Sequence, residues 1–303
     1  MKLQKTVIII VGPTASGKTD ISLQLAEHFK TSIISADSRQ CYKELNIGVA
    51  KPSKKALHSI NHYFINSHSI HDTVNAQVFE EYALKAADEI FKENDTAIMV
   101  GGTGMYIKAF CEGLDEIPEI DLSVRNEIIK NYKEEGLQWL QQELKNKDPF
   151  FWQQAEQKNP QRLMRALEVI TSTRRSITDF RKNKKVQRPF YISKIGIDLS
   201  KQQLHENIEH RVDEMIQQGL VEEVKSLYSY KNMNALQTVG YKEIFDFLDE
   251  KIILPQAIAQ IKTNTKQYAK RQLTWFKKDK DIQWISSGNM HDYIQQILKS
   301  SFN

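Results

Sequence analysis

Val7-Ile8-Ile9-Ile10-Val11-Gly12-Pro13-Thr14-Ala15-Ser16-Gly17-Lys18-Thr19 decides how the chain is read: an apolar run ends in a glycine-framed loop that closes on a lysine and a hydroxyl. The spacing of Gly12, Gly17, Lys18 and Thr19 satisfies G-x-x-x-x-G-K-[ST], a phosphate-binding loop when a strand precedes it and a helix follows. Both flanks are present. The glycines let successive N–H groups converge on an anion, and the next helix adds the partial positive charge of its N-terminus. Lys18 adds a full charge, and the Thr19 hydroxyl stands where it can ligate a Mg²⁺ that bridges phosphate oxygens. The motif alone leaves open whose phosphate is held.

Downstream, Ile21, Leu25, Ala26 and Phe29 have helical spacing, and residues 31–36 read as a short buried strand that ends on Asp37. In an open parallel sheet ligands gather beyond the carboxyl ends of the strands, which puts Asp37 beside the loop. A helical stretch over 78–91 leads to a third strand over 96–100. Where many nucleotide hydrolases carry a metal-holding Asp, that strand runs into Gly101-Gly102-Thr103-Gly104. Thr103 offers a hydroxyl to the same crevice, and the glycines permit close backbone approach. His62, His68 and His71 lack the spacing of a metal set on one helical face and read as loop histidines.

From Asp121 to about Arg188 the strand signal fades, and three apolar stripes of helical period follow. This predicts a small helical insertion. Residues 194–199 return to strand character, residues 204–216 form a strong helical stripe with Arg211 beside it, and 282–285 read as an edge strand. In the last long helix Tyr268, Ala269, Leu273 and Phe276 are expected to face inward. The division that results is 1–120, 121–190 and 191–303.

The 303 residues are 40% hydrophobic, enough for one large domain with an insertion. Cys41 and Cys111 match no metal or disulfide spacing, which suits a reducing compartment, and the cytoplasm is expected. The apolar run near the start is cut by Gly12 below signal or span length, so no membrane role is expected. A net charge of +4 is mild, but its distribution is lopsided. Between Lys158 and Lys194 eleven basic residues face only Glu168 and Asp179. A stretch so basic on an otherwise acidic chain reads as a nucleic-acid phosphate footprint, with a solvated face as the alternative. From these features alone, three readings stand: a group transferase acting on RNA, a kinase that uses ATP on a small metabolite, and an RNA-binding module with a vestigial loop.

Taken as an ordered set, the motifs resemble the tRNA dimethylallyltransferase (tRNA isopentenyltransferase) family in its compact bacterial form. The resemblance runs through Gly12 to Thr19, Ser35-Ala-Asp-Ser-Arg-Gln-Cys-Tyr42, Ile47-Gly-Val-Ala-Lys-Pro52, Gly101-Gly-Thr-Gly-Met-Tyr106, Pro160-Gln-Arg-Leu-Met-Arg-Ala-Leu-Glu-Val169, Gly219-Leu-Val-Glu-Glu223, Gly240-Tyr-Lys-Glu243 and Tyr268-Ala-Lys-Arg-Gln-Leu-Thr-Trp-Phe276. It departs at Gln157-Lys158-Asn159 and Thr173-Arg174-Arg175-Ser176, where the family more often has Asn-Asp and Gly-Lys-Pro. The resemblance implies an α/β fold of the P-loop NTPase kind, a parallel sheet flanked by helices with an all-helical insertion. It implies transfer of a dimethylallyl group from dimethylallyl diphosphate to N6 of the adenosine 3′ of the anticodon, with Mg²⁺ held through Thr19.

On the same ground, Asp37 and Thr103 are the expected catalytic residues. Gly12, Pro13, Thr14, Ala15, Ser16, Gly17, Lys18, Thr19 and Arg211 are expected on the diphosphate. Asp37, Ser38, Arg39, Gln40, Thr103, Arg125, Gln161, Arg162, Leu163, Met164 and Arg165 are expected to meet the anticodon stem-loop of tRNA. A monomer is expected.

Overall fold

The computed structural model describes residues 4–182 and 184–286, with Gly288 and Asp292. It resolves into two compact units, Met1–Glu112 joined with Gln187–Asn303, and Gly113–Val186. The first contains β1 (Thr6–Val11), α1 (Lys18–Phe29), β2 (Ile33–Ser35), α2 (Lys54–Ser59), β3 (His62–Tyr63), α3 (Ala76–Glu93), β4 (Thr96–Gly101) and α4 (Gly104–Glu112). The second is all helical, with α5 (Leu122–Lys147), α6 (Pro149–Gln154), α7 (Pro160–Thr173) and α8 (Ile177–Phe180). The chain then returns to the first unit through β5 (Tyr191–Asp198), α9 (Lys201–Gln217), α10 (Leu220–Ser226), α11 (Tyr241–Leu248), α12 (Leu254–Phe276) and β6 (Ile282–Ser286).

Six parallel strands form one sheet in the order β3-β2-β4-β1-β5-β6. Alternate side chains of β1 explain why it is apolar from Val7 onward: Val7, Ile9 and Val11 enter the larger core, while Ile8 and Ile10 enter the core shared with Ile21, Leu25 and Ala26 of α1. Both faces are covered from Val7 onward, so the buried positions of the strand are all apolar. Register then lines up the functional ends. Val11 sits opposite both Gly101 and Gly196, and Ser35 opposite Val100, so the loop after β1, the glycine turn after β4 and Asp37 all leave the sheet at one level.

The strand β2 starts later than expected because the Thr31 N–H is taken by the Ala26 carbonyl of α1, 3.0 Å away, while the Thr31 side chain bonds to the Thr96 carbonyl at 2.7 Å. The strand β5 starts earlier than expected, at Tyr191, whose N–H donates to the Lys5 carbonyl at 2.8 Å. The glycines after β4 prove to be packing requirements. A Cβ on Gly101 would lie 2.2 Å from the Ala36 carbonyl oxygen, and one on Gly104 would lie 2.2 Å from the Trp275 ring. Gly101→Ala is expected to destabilise the protein by about 1–3 kcal/mol, since the obstacle is backbone that cannot swing aside. Thermal unfolding checks this, and an unchanged midpoint would mean that β2 and β4 part at no cost.

In the helical unit, Gly136 (φ 77°) breaks α5 into two segments, which is why its sequence shows two apolar faces instead of one. Ile128, Leu140 and Leu144 of α5 pack with Leu163, Met164, Ala166 and Leu167 of α7. No helix of the described residues is long and apolar enough to cross a membrane.

Candidate active site

Residues 12–19 wrap the start of α1 with Gly17 in the left-handed region (φ 82°), and Ala15 is held there too (φ 62°). Holding a non-glycine residue in that region carries strain, which neighbouring groups must offset. Three side chains from distant helices do so. Gln272 of α12 accepts the Thr14 N–H at 2.8 Å, Asn207 of α9 donates to the Ala15 carbonyl at 3.1 Å, and Arg211 of α9 donates to the Thr14 hydroxyl at 3.1 Å. The Lys18 ammonium folds back onto the Pro13 carbonyl. Among the described residues the buried Ser16 hydroxyl has no partner, an orphan that a ligand oxygen in the loop would satisfy.

Charge inside this loop is crowded. Burial, and next the neighbouring Arg211 cation, lower the Lys18 pKa to about 7, with Asp37 pulling it partly back. Burial also presses the Arg211 pKa down, while Glu214, Asp20 and Asp37 support its charge. Two cations share one concave site, and Asp37 lies within electrostatic reach of both.

Asp37 follows Ala36, whose N–H continues the ladder to the Val100 carbonyl at 2.7 Å. Its Oδ1 accepts the N–H groups of Arg39 (2.8 Å) and Gln40 (3.3 Å), a turn-capping bond that Asp readily forms. Its Oδ2 has no hydrogen-bond partner among the described residues. The carboxylate therefore does two jobs at once: one oxygen fixes the side chain and the other is left open. Thr103 is anchored from the opposite loop, with its N–H on the Ala36 carbonyl (3.2 Å) and its hydroxyl accepting from Ser38 N–H (3.1 Å). The Tyr268 phenol lies within electrostatic reach of Asp37 and Arg39.

Several sequence expectations are altered by these contacts. Tyr268 does not face the core; it is exposed, and the buried polar residue of that helix is Gln272, which donates to the Gly102 carbonyl at 2.9 Å while holding Thr14. Sequence reading missed Gln272 and Asn207. The signal was faint, an amide at an inward helical position, and nothing local says what it faces. Arg39 and Gln40 stand beside Asp37, but their side chains are occupied: Arg39 by the Asn234 and Ala235 carbonyls, Gln40 by those of Val49 and Ala50.

In the helical unit, Arg125 and Arg165 converge on buried Glu168, at 3.8 and 3.1 Å. Gln161 and Arg162 are exposed, whereas Leu163 and Met164 belong to the core of that unit. Asn159 caps α7 by accepting Arg162 N–H at 3.3 Å, which gives a departing residue a local purpose. The basic stretch loses two members as a surface footprint. Arg188 is almost fully enclosed and bonds to Glu80 at 2.6 Å and to the Phe110 and Ala109 carbonyls, and enclosed Lys194 pairs with Asp279 at 2.7 Å. Arg174, Arg175 and Arg181 remain exposed.

Fold and site together define an α/β phosphate-binding-loop protein whose crevice carries an open carboxylate beside the loop. A model of the IPP transferase family matches residues 40–279. The chain is 45% identical over 298 residues to a tRNA dimethylallyltransferase of Christiangramia forsetii, covering 97% of this chain and 99% of that one. Its structure is similar to that of a full-length tRNA isopentenylpyrophosphate transferase from Bacillus halodurans (TM-score 0.71, 31% identity, 98% of this chain and 95% of the other). It is similar as well to a eukaryotic dimethylallyltransferase acting on tRNA (TM-score 0.78, 25% identity, 93% of this chain and 74% of the other). The chain belongs to the tRNA dimethylallyltransferase family.

Proposed function

We propose that the crevice transfers a dimethylallyl group from dimethylallyl diphosphate to the exocyclic N6 of the adenosine 3′ of the anticodon. The observation that carries this reading is the open Oδ2 of Asp37 beside a loop holding two cations. Breaking the allylic C–O bond leaves negative charge on the diphosphate, and Lys18, Arg211 and the backbone donors of residues 15–19 are set out to stabilise it. The adenine amine is a weak nucleophile with a delocalised lone pair. As its nitrogen bonds to the allylic carbon, positive charge develops there and a proton must leave; Asp37 Oδ2 is the acceptor. Thr103, fixed by two backbone bonds, meets the bridging oxygen of the diphosphate. The base must leave the loop stack to enter, which costs a few kcal/mol.

The Thr19 hydroxyl is a hard oxygen donor at the start of α1, and together with diphosphate oxygens it fits Mg²⁺, whose chemistry there is to offset leaving-group charge. The anticodon stem-loop is assigned to Arg125, Gln161, Arg162 and Arg165, with Arg174, Arg175 and Arg181 on its phosphates, and the protein is read as a cytoplasmic monomer.

The direct test supplies labelled dimethylallyl diphosphate and an unmodified anticodon stem-loop. Label in the RNA supports the reading, and consumption of ATP with a small acceptor instead would replace it with a kinase. Neutralising Arg174, Arg175 and Arg181 together is expected to weaken RNA binding at low salt and to lower the salt slope by about 2–3. An unchanged slope returns these residues to a solvated face.

A further inference from the structure

We propose that Glu223 is a positioning residue for this reaction: acting through the backbone of residues 46–50, it fixes the aim of the Asp37 carboxylate. The proposal rests on the reading of Asp37 as the acceptor for the adenine amine. Glu223 lies on α10, far along the chain from Asp37, and its half-buried carboxylate collects an unusual set of donors. It accepts three consecutive backbone N–H groups, Asn46 at 3.3 Å, Ile47 at 2.7 Å and Gly48 at 3.1 Å, and the Tyr241 phenol at 2.5 Å. Bonds to an ionised acceptor are about twice as strong as neutral ones, so this junction holds a stretch that has no helix or strand of its own. The Tyr241 ring closes the same junction from above, since a Cβ on Gly48 would lie 2.5 Å from it.

The held segment grips the catalytic turn. Immediately after the three clamped N–H groups, the Val49 and Ala50 carbonyls accept the Gln40 amide at 3.2 and 3.0 Å. The other end of that amide accepts the Ser35 hydroxyl at 3.1 Å, from the last residue of β2. Gln40 N–H in turn donates to Asp37 Oδ1. Lys51 ties the far end of the segment to the Tyr42 carbonyl at 2.6 Å and the Asn66 side chain at 2.5 Å. Hydrogen bonds joined by short covalent stretches, the backbone from 48 to 50 and the side chain of Gln40, therefore form a connection between Glu223 and Asp37. The need for it follows from β2, whose three residues are too few to fix by themselves the turn that carries the carboxylate.

Glu223→Gln keeps the size of the side chain but sets an amide N–H₂ against backbone donors. With folding verified by its melting curve, it is expected to lower kcat about 10- to 100-fold while KM for dimethylallyl diphosphate moves less than about threefold, because misplacement and not donor binding is what suffers. Built on Asp37→Asn, the same change is expected to add no further loss. A folded Glu223→Gln with wild-type kcat overturns the proposal, as does a loss that multiplies with that of Asp37→Asn. Should Glu223→Gln fail to fold, Tyr241→Phe removes a single donor from the junction and carries the same test, with a smaller loss in kcat that likewise vanishes on Asp37→Asn. Asp37→Asn with full turnover overturns the reading of Asp37 itself, an outcome distinct from an inactive Asp37→Asn beside an unaffected Glu223→Gln, which overturns the role of Glu223 alone.

Discussion

Asp37→Ala is expected to lower turnover by about 10²–10⁴-fold, the range for loss of a positioned proton acceptor, with dimethylallyl diphosphate binding nearly unchanged. The separation follows from geometry. In the proposed function the anion is met by residues 12–19 and Arg211, and the Asp37 side chain bonds to none of them; it caps its own turn through Arg39 and Gln40 N–H. Alanine also removes that cap, so the companion variant is Asp37→Asn. The amide oxygen keeps the capping bonds, while the group at the Oδ2 position becomes a donor unable to take a proton. Single-turnover rates of both variants should fall together. Wild-type rates in Asp37→Asn would reduce the residue to a turn former.

The second large effect concerns Lys18. Lys18→Met is expected to cost about 10²–10³-fold in kcat, the magnitude seen when one preorganised donor to a developing oxyanion is lost. A pH signature accompanies it. Burial and Arg211 hold the ligand-free pKa at about 7, and a bound diphosphate supplies the opposite charge that raises it. A pKa raised by the ligand means that the ammonium's contribution to affinity is fully present below about pH 7. As pH rises beyond that value, binding must draw a proton from solution, and the contribution falls by up to about tenfold per pH unit until the bound-state pKa is reached. Calorimetry in buffers of different ionisation enthalpy measures this uptake at pH 8. Lys18→Met should lose the share of it that belongs to the ammonium. Equal proton uptake by the two proteins would place the titration elsewhere.

How much of this was legible beforehand depended on whether the determining interaction was local. The loop from Gly12 to Thr19 could be read because its geometry is written in adjacent residues: glycines where the backbone must turn and a lysine at the helix start. Asp37 was legible through topology, since a short apolar strand that ends in an acid has few other places to put it. Tyr268 was misjudged because an aromatic at an inward helical position is ordinarily core. Gln272 was missed for the converse reason, its two partners lying at residues 14 and 102. The basic stretch was overcounted because sequence gives charge without enclosure. Arg188 and Lys194 are spent inside the first unit, on Glu80 and Asp279.

The enclosed guanidinium of Arg188 matters for another reason. It grips the Ala109 and Phe110 carbonyls at 2.9 and 2.7 Å, and so staples the chain just before the excursion at Gly113 to the chain just after it at Gln187. With the two stems stapled, the sheet is indifferent to what is threaded between them. The intervening helices can lengthen, shrink or be traded between relatives without re-routing a single strand. Under the proposed division of labour, what is grasped can thus diverge while what is catalysed stays constant on one polypeptide.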